Sequence, residues 1–414
     1  MSGFFSKKET QSKSRIDGKT HSCAACGLYR FVHSPKMKPF GNFKKGIMNI
    51  GEAPGETEDH RGRQWQGKAG RLLRRTYDKL GIDLFEDCVN VNAVNCRPIS
   101  PTGANRPPTS DEVGHCRSVI VLKAIQKYQP KVIVLLGGTA IDSVIGHRWS
   151  GNTSESVNKW RGWTIPDRDF KCWICPTFHP SYLERTGLKK ELMNIWQQDL
   201  ERAVSRIEEP WPRFKKPEIE IVSDLQFLDA QANGGLMAFD YETTGIKPHK
   251  KGHRIRTVSI ADREDHCWAF EMPKTRRERV PFRCWLKNAN IRKMAHNMKF
   301  EEAWSRTIMK EPVQGWEWDS MLAAHMLDNR TGISGLKFQT YVNFGIVDYS
   351  SDVDPFLRST KAGEGGNAFN KIDDLLKTKS GKQKLLEYNA LDSIYEYRLA
   401  LKQMEKINYD YLPF

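Results

Sequence analysis

Residues 131–138 read KVIVLLGG, five apolar residues between a lysine and two glycines. A run this short, rich in β-branched side chains and closed by a glycine turn, is a strand buried on both faces. Gly137 and Gly138 make a tight strand-to-helix turn, and the lysine of a phosphate-binding loop does not follow them. Similar runs lie outward from it at 47–50 (IMNI), 88–94 (CVNVNAV) and 171–177 (KCWICPT), separated by helical stretches at 70–80, 110–128 and 188–207. This alternation predicts an α/β fold with a largely parallel sheet and helices on both faces. At 208–218 the chain reads EEPWPRFKKPE, and Pro210, Pro212 and Pro217 break both helix and strand, which marks a domain boundary. Beyond it a second α/β part begins with strands, LMAFDYETTG (236–245), TVSIAD (257–262) and CWAFEM (267–272), and turns helical after Met298.

The expected organisation is therefore a flexible basic arm at 1–20, a first domain at 21–207, a Pro-rich linker at 208–217 and a second domain at 218–414. A chain of 414 residues exceeds what one core organises, and neither a repeat nor a coiled-coil heptad is present. The net charge of +15 suits a polyanion, because lysine and arginine gain affinity by releasing counterions from phosphates. Nucleic acid is the expected partner. Twelve tryptophans offer flat faces for unpaired bases, although core packing accounts for most tryptophans in any protein. No signal peptide or membrane-length apolar run is present, so the expected location is the cytoplasm, that of the host cell if the chain is viral. In a reducing compartment cysteines point to metal rather than to disulfides.

Four of the nine cysteines carry such a pattern: Cys23 and Cys26 as C-x-x-C, Cys96 at the end of an apolar stretch and Cys116 in a predicted helix. Thiolates bind iron-sulfur clusters and zinc. A local zinc ribbon would show its second C-x-x-C nearby, so an iron-sulfur cluster is favoured over zinc or inert buried thiols. Cys172 and Cys175 share the spacing, but on a strand their thiols point to opposite faces.

The run IGEAPGETEDHRGRQWQGKAG (50–70), with VNAVNCRP (91–98), TFHPS (177–181) and the four cysteines, resembles the family 4 uracil-DNA glycosylases over nearly the whole first domain. The resemblance implies an α/β/α sandwich and a 4Fe-4S cluster on Cys23, Cys26, Cys96 and Cys116. Base excision needs a pocket that holds the flat face of a flipped base and reads its Watson–Crick edge. By motif position Trp65 is the aromatic wall and Asn92 the reading amide. The family usually carries Phe at the wall position, so the pocket is reshaped here. His179 is the donor to O2 of the departing base, where negative charge develops. Glu52 is the carboxylate that orients water and offsets the cation-like sugar, with Glu58 and Asp59 as lesser assistants. Tyr182 or Leu183 is the expected wedge into the vacated stack.

In the second domain Asp240 and Glu242 stand two apart at the end of an apolar strand, hence on one face. Tyr388 and Asp392, in YNALD, share a helix face. Such acidic clusters hold two Mg²⁺ or Mn²⁺ ions for phosphoryl transfer. FDYETTG, HNMKFEEAW, WDSMLAAHML and YNALD occur in the order of the proofreading 3′–5′ exonuclease domain of family A DNA polymerases, which residues 218–405 resemble. That resemblance implies an RNase H-like fold of the DEDD class with tyrosine. Asp240, Glu242 and Asp392 are then metal ligands and Tyr388 positions the attacking water. Glu301 stands where the family has Asp, and Asn297 and Asp319 support the terminal-nucleotide site or cap helices. The combination is similar to the N-terminal half of some bacteriophage polymerases. A separately encoded polymerase is thus an expected partner, with the tail INYDYLPF (407–414) as a contact. The expected function is a bifunctional DNA-processing enzyme that excises uracil or a related base and degrades DNA from its 3′ end. The competing readings are an exonuclease whose first domain only reads DNA, and a nuclease that trims RNA.

Overall fold

The computed structural model describes residues 21–149, 157–231, 235–358 and 368–407. The expected basic arm and all of the Tyr-rich tail except Ile407 lie outside them. The described residues fall into two compact units that meet at Pro212/Arg213, with Tyr341–Asp348 counted to the first. None of their helices is long and apolar enough to cross a membrane.

The first unit is built on five strands: β1 (Ile47–Gly51), β2 (Cys88–Asn92), β3 (Val132–Leu136), β4 (Ile165–Asp167) and β5 (Cys172–Thr177). Their order is β2-β1-β3-β5-β4, parallel except for β4, which runs antiparallel to β5 at the edge. All five residues of β3 are buried, as a central strand covered on both faces requires. Val132, Val134 and Leu136 pack with Leu73 and Tyr77 of the helix Lys68–Lys79 and with Trp196 and Leu200 of the helix Lys190–Ser205. The asparagines inside β1 and β2 satisfy each other. Tyr77 donates to Asn49 at 2.7 Å, Asn49 to Asn90 at 3.0 Å, and Asn90 to the Leu84 carbonyl at 2.9 Å. Buried polar groups paired in this way cost little and fix the register.

The second unit holds six strands: β6 (Glu218–Ile221), β7 (Gly235–Thr243), β8 (Ile255–Arg263), β9 (His266–Glu271), β10 (Ile291–Ala295) and β11 (Trp316–Asp319). Their order is β11-β10-β7-β8-β9-β6. β7, β8 and β9 form an antiparallel meander, while β10 joins β7 in parallel. The 29-residue helix Lys379–Ile407 crosses this meander and is pinned by polar bonds: Thr257 donates to the Asn389 side chain at 2.9 Å, and Ser259 and Ser393 hydroxyls lie 2.6 Å apart.

Candidate functional site

Cys23 and Cys26 form one helical turn, Cys23–Cys26, capped by the Ser22 side chain at its start and by left-handed Gly27 at its end. Cys96 lies in the loop after β2, and Cys116 ends the helix Ser110–Cys116. All four thiols line one cavity with Tyr29, Lys36, His115 and Ile120. The Lys36 amide donates to the Cys96 sulfur at 3.2 Å and the Asn95 amide to the Cys116 sulfur at 3.4 Å. Burial raises the Cys26 and Cys96 thiols and pushes Cys116 up to about 12. Amides aimed at sulfur in a cavity that disfavours free thiolates suit a positively charged metal group. A single zinc ion holds its sulfurs about 3.8 Å apart, from a Zn–S bond of about 2.3 Å. Among the described residues no three of these sulfurs lie mutually within 4.8 Å, which suits a larger group. Cys172 and Cys175 are both buried in β5.

The second constellation stands at the carboxyl ends of β1, β2, β3 and β5, on either side of the point where the strand order reverses. Open parallel sheets bind ligands at this point. Glu52 follows β1, Asn92 closes β2 and His179 follows β5. Trp65 comes in from the loop before the helix Lys68–Lys79 in a left-handed conformation, φ 60°. The four converge around Gly51. A Cβ there would stand 2.6 Å from the Asn92 side-chain oxygen and 3.0 Å from the Trp65 ring, so only glycine allows this approach. The rings of Trp65 and His179 lie 5.7 Å apart, and Gly137, φ 92°, lets the turn after β3 pass close to His179, because a Cβ added there would stand 2.9 Å from the His179 Cβ. Asn95 fixes the Asn92 backbone, donating to its carbonyl at 2.6 Å and accepting its N–H at 3.2 Å. Thr139 donates to Glu52 at 3.4 Å, which ties the β1 and β3 loops together.

His179 caps the helix Pro180–Arg185, and its Nδ1 accepts the Ser181 amide at 3.2 Å. An amide can only donate, so Nδ1 carries no proton and Nε2–H is the free donor. Burial, with the Arg185 charge adding, pushes the imidazole down to about 4, so it is neutral at pH 7. Glu58 and Asp59 do other work. Glu58 accepts the Gly67 amide at 2.7 Å, and buried Asp59 accepts the amides of His33 and Ser34 at 3.2 and 2.8 Å. Both hold loops, which corrects their expected place as assistants. Leu183 is fully buried and is no wedge, whereas Tyr182 is 38% exposed.

In the second unit Asp240 and Glu242 project from β7 towards Asp392 on the helix Lys379–Ile407, and ligand oxygens of the three lie within 4.8 Å of one another. Burial, and then mutual repulsion, raises Glu242 far above the carboxylate range and Asp240 to about 8. Burial raises Asp392 as well. A cation relieves that repulsion, so the triad fits a metal centre. Asn389 donates to Asp240 at 2.7 Å, and Tyr349 donates to Asp392 at 2.5 Å while its ring stacks on Tyr388 at 5.9 Å. Glu301, in the helix Met298–Trp304, is buried but stands outside the 4.8 Å group. Asp319 caps the helix Ser320–Leu327 and accepts the amides of Asn297 and Met298 at 3.2 and 3.0 Å, which holds Asn297 left-handed. Tyr349 had no signal in the sequence, whereas Asn95 sits within VNAVNCRP and Asn389 within YNALD.

A model of the uracil DNA glycosylase superfamily matches residues 38–201, and one of a 3′–5′ exonuclease matches residues 221–407. The type-4 uracil-DNA glycosylase of Thermotoga maritima is 36% identical over 192 residues, 46% of this chain and 93% of that protein. The chain belongs to the type-4 uracil-DNA glycosylase family. Its glycosylase part is also 34% identical, over 171 residues, to the Saccharolobus solfataricus type-4 enzyme, across 40% of this chain and 74% of that one. Joined to it is the 3′–5′ exonuclease domain, and a DNA polymerase of Bacillus phage SP01 is similar across the fusion: 25% identical over 339 residues, 72% of this chain. The chain spans 34% of that polymerase. Among solved structures, Escherichia coli RNase D aligns over 47% of this chain and 47% of its own at 14% identity, with a TM-score of 0.34.

Proposed function

We propose that this glycosylase–exonuclease fusion removes uracil or a related base from DNA at one site and shortens DNA from its 3′ end at the other. The observation that carries this reading is the presence of two complete and chemically unlike constellations in one chain. One is a neutral donor, an amide and an aromatic wall at strand ends; the other is a buried carboxylate triad.

At the first site the flipped base rests against Trp65 and the Asn92 amide reads its edge. The N-glycosidic bond breaks with its electron pair leaving on the base. The Nε2–H of neutral His179 donates to O2 as that charge grows, without carrying a positive charge of its own into the pocket. Glu52 faces the sugar, where its negative charge offsets the developing cation and its oxygen accepts a proton from the water that adds to C1′. Cys23, Cys26, Cys96 and Cys116 would hold the 4Fe-4S cluster, which ties the C-x-x-C turn to the loop after β2 and to the helix Ser110–Cys116.

At the second site Asp240, Glu242 and Asp392 would hold divalent cations. Two such ions, when bound, supply charge neutralisation at the phosphate and acidity to the attacking water. Tyr388 presents its hydroxyl on the same helix face as Asp392 and orients that water. Tyr349 and Asn389 keep the carboxylates from turning away.

The two activities are therefore separable by mutation. With Mn²⁺ present, Asp240→Ala stops trimming of a 3′-terminated strand while uracil excision persists. In the opposite sense, His179→Ala lowers excision by roughly 10²- to 10³-fold and leaves trimming unchanged. Loss of both activities from a folded single variant would contradict two independent sites. Tight binding of uracil-containing DNA without abasic sites would make the first unit a reader instead.

A further inference from the structure

Among the described residues of the exonuclease unit three carboxylate oxygens have no hydrogen-bond partner: Oδ1 of Asp373, which is ion-paired with Arg256 at 2.7 Å, and the two of interest, Oε2 of Glu301 and Oε1 of Glu396. Glu301 and Glu396 are each 1% exposed. Buried carboxylates without partners are rare, because charge taken from water must be compensated where it lands. Glu396 has no place in the glycosylase or exonuclease motifs described above.

Helix geometry fixes where Glu396 points. Asn389 reaches Asp240, and Ser393 reaches Ser259 of β8. Glu396 lies two turns beyond Asn389 and one beyond Asp392, on the same face of the helix Lys379–Ile407. The charges that act on it are those of Glu301 first, then Asp240 and Asp319, while the backbone N–H of His296 favours its ionisation. The charges on Glu301 come first from Asp240 and then from Asp319 and Glu242. Glu301 and Glu396 thus form a second acidic group that adjoins the triad at Asp240. Glu301 is one methylene longer than the aspartate expected there, and its carboxylate lies outside the triad. Asp319, the other acid nearby, spends its oxygens on four backbone amides. Two free carboxylate oxygens therefore remain on this side of Asp240.

We propose that Glu396 is a further carboxylate of the nuclease metal centre, which seats a second divalent cation together with Glu301 and Asp240. The inference rests on the reading of the second unit as a divalent-metal nuclease. The longer Glu301 and the added Glu396 then belong together: the lengthened side chain withdraws from the triad, and Glu396 supplies the charge needed where it ends.

Calorimetric titration of the full, cluster-loaded chain with Mn²⁺ tests this, with thermal melting in EDTA and in Mn²⁺ alongside. The wild-type chain is expected to bind two Mn²⁺ ions. Glu396→Gln, which keeps the shape and an acceptor for His296, should weaken one of them by about tenfold or more. It should also melt no lower than wild type in EDTA, because a buried acid whose ionisation the site opposes has gone. Glu396→Asp retracts the carboxylate by one methylene and should bind the second ion with intermediate affinity. Wild-type Mn²⁺ binding by both variants, with a lower melting point in EDTA, would make Glu396 a structural acceptor and overturn the proposal while the metal centre stands. A wild-type chain that binds no Mn²⁺ would overturn the metal reading itself.

Discussion

At the scale of single residues the chemistry is decided by which protons and charges burial permits. His179 is held neutral down to about pH 4, against an ordinary 6.5, so its role as a donor does not depend on protonation. Excision in EDTA should show no inflection between about pH 5.5 and about 7.5; an inflection near 6.5 that vanishes in His179→Gln would contradict this. The same depression affects stability. The contribution is fully present above 6.5 and is lost as pH falls towards 4, because the unfolded chain takes up the proton first. Asp240 has the opposite sign. With its carboxyl raised from 3.8 to about 8, the metal-free fold binds the extra proton, so this contribution is present below 3.8 and is lost as pH rises through 8. Metal must displace protons from the coupled acids. Mn²⁺ affinity should therefore climb from pH 6.5 to pH 8 and level off above, with proton release seen by comparing buffers of different ionisation heat. Asp240-x-Glu242 and YNALD were legible because strand and helix periodicities alone put those carboxylates on common faces. Glu58 and Asp59 were misread as assistants, because spacing does not reveal that their oxygens are taken by the amides of distant loops.

At the scale of elements the candidate sites are where strands end. β1, β2, β3 and β5 deliver Glu52, Asn92, the Gly137 turn and His179 to one edge of the sheet, and the alternation of short apolar runs with helices made those strands readable. β4 was not readable: three residues with Pro166 at their centre survive only as an edge. Gly51 is the hinge of the arrangement; it stands in the IGEAPG run, but nothing in the sequence shows how closely Asn92 and Trp65 approach it. Gly51→Ala must push Asn92 or Trp65 aside. A displacement of that size should reduce excision by about a hundredfold with exonuclease trimming untouched; excision at the wild-type rate would mean that these side chains do not form the base pocket. The C-x-x-C turn depends on Cys96 and Cys116 to be more than a capped helical turn. Cys96→Ser should remove the broad absorbance near about 400 nm expected of an iron-sulfur protein and lower the melting temperature of the first unit, whereas a colourless wild-type protein with bound zinc would contradict the cluster.

For the whole molecule, the proline-rich stretch and the change from alternating to strands-first order announced two units. The placement of Tyr341–Asp348 in the first was hidden. It depends on Tyr341 donating to buried Asp167 at 3.2 Å and on the Arg168 amide reaching the Gly345 carbonyl at 3.3 Å, contacts between residues about 175 apart in sequence that no local pattern encodes. On the proposed reading the fusion joins a base removal that needs no divalent ion to a trimming that does. The most direct test is to incubate 5′-labelled DNA carrying one internal uracil with the purified chain in EDTA and then treat it with alkali. The account predicts one break, at the uracil, with 3′ shortening appearing only when Mn²⁺ is restored; intact DNA from a chain with its cluster fully loaded would contradict it.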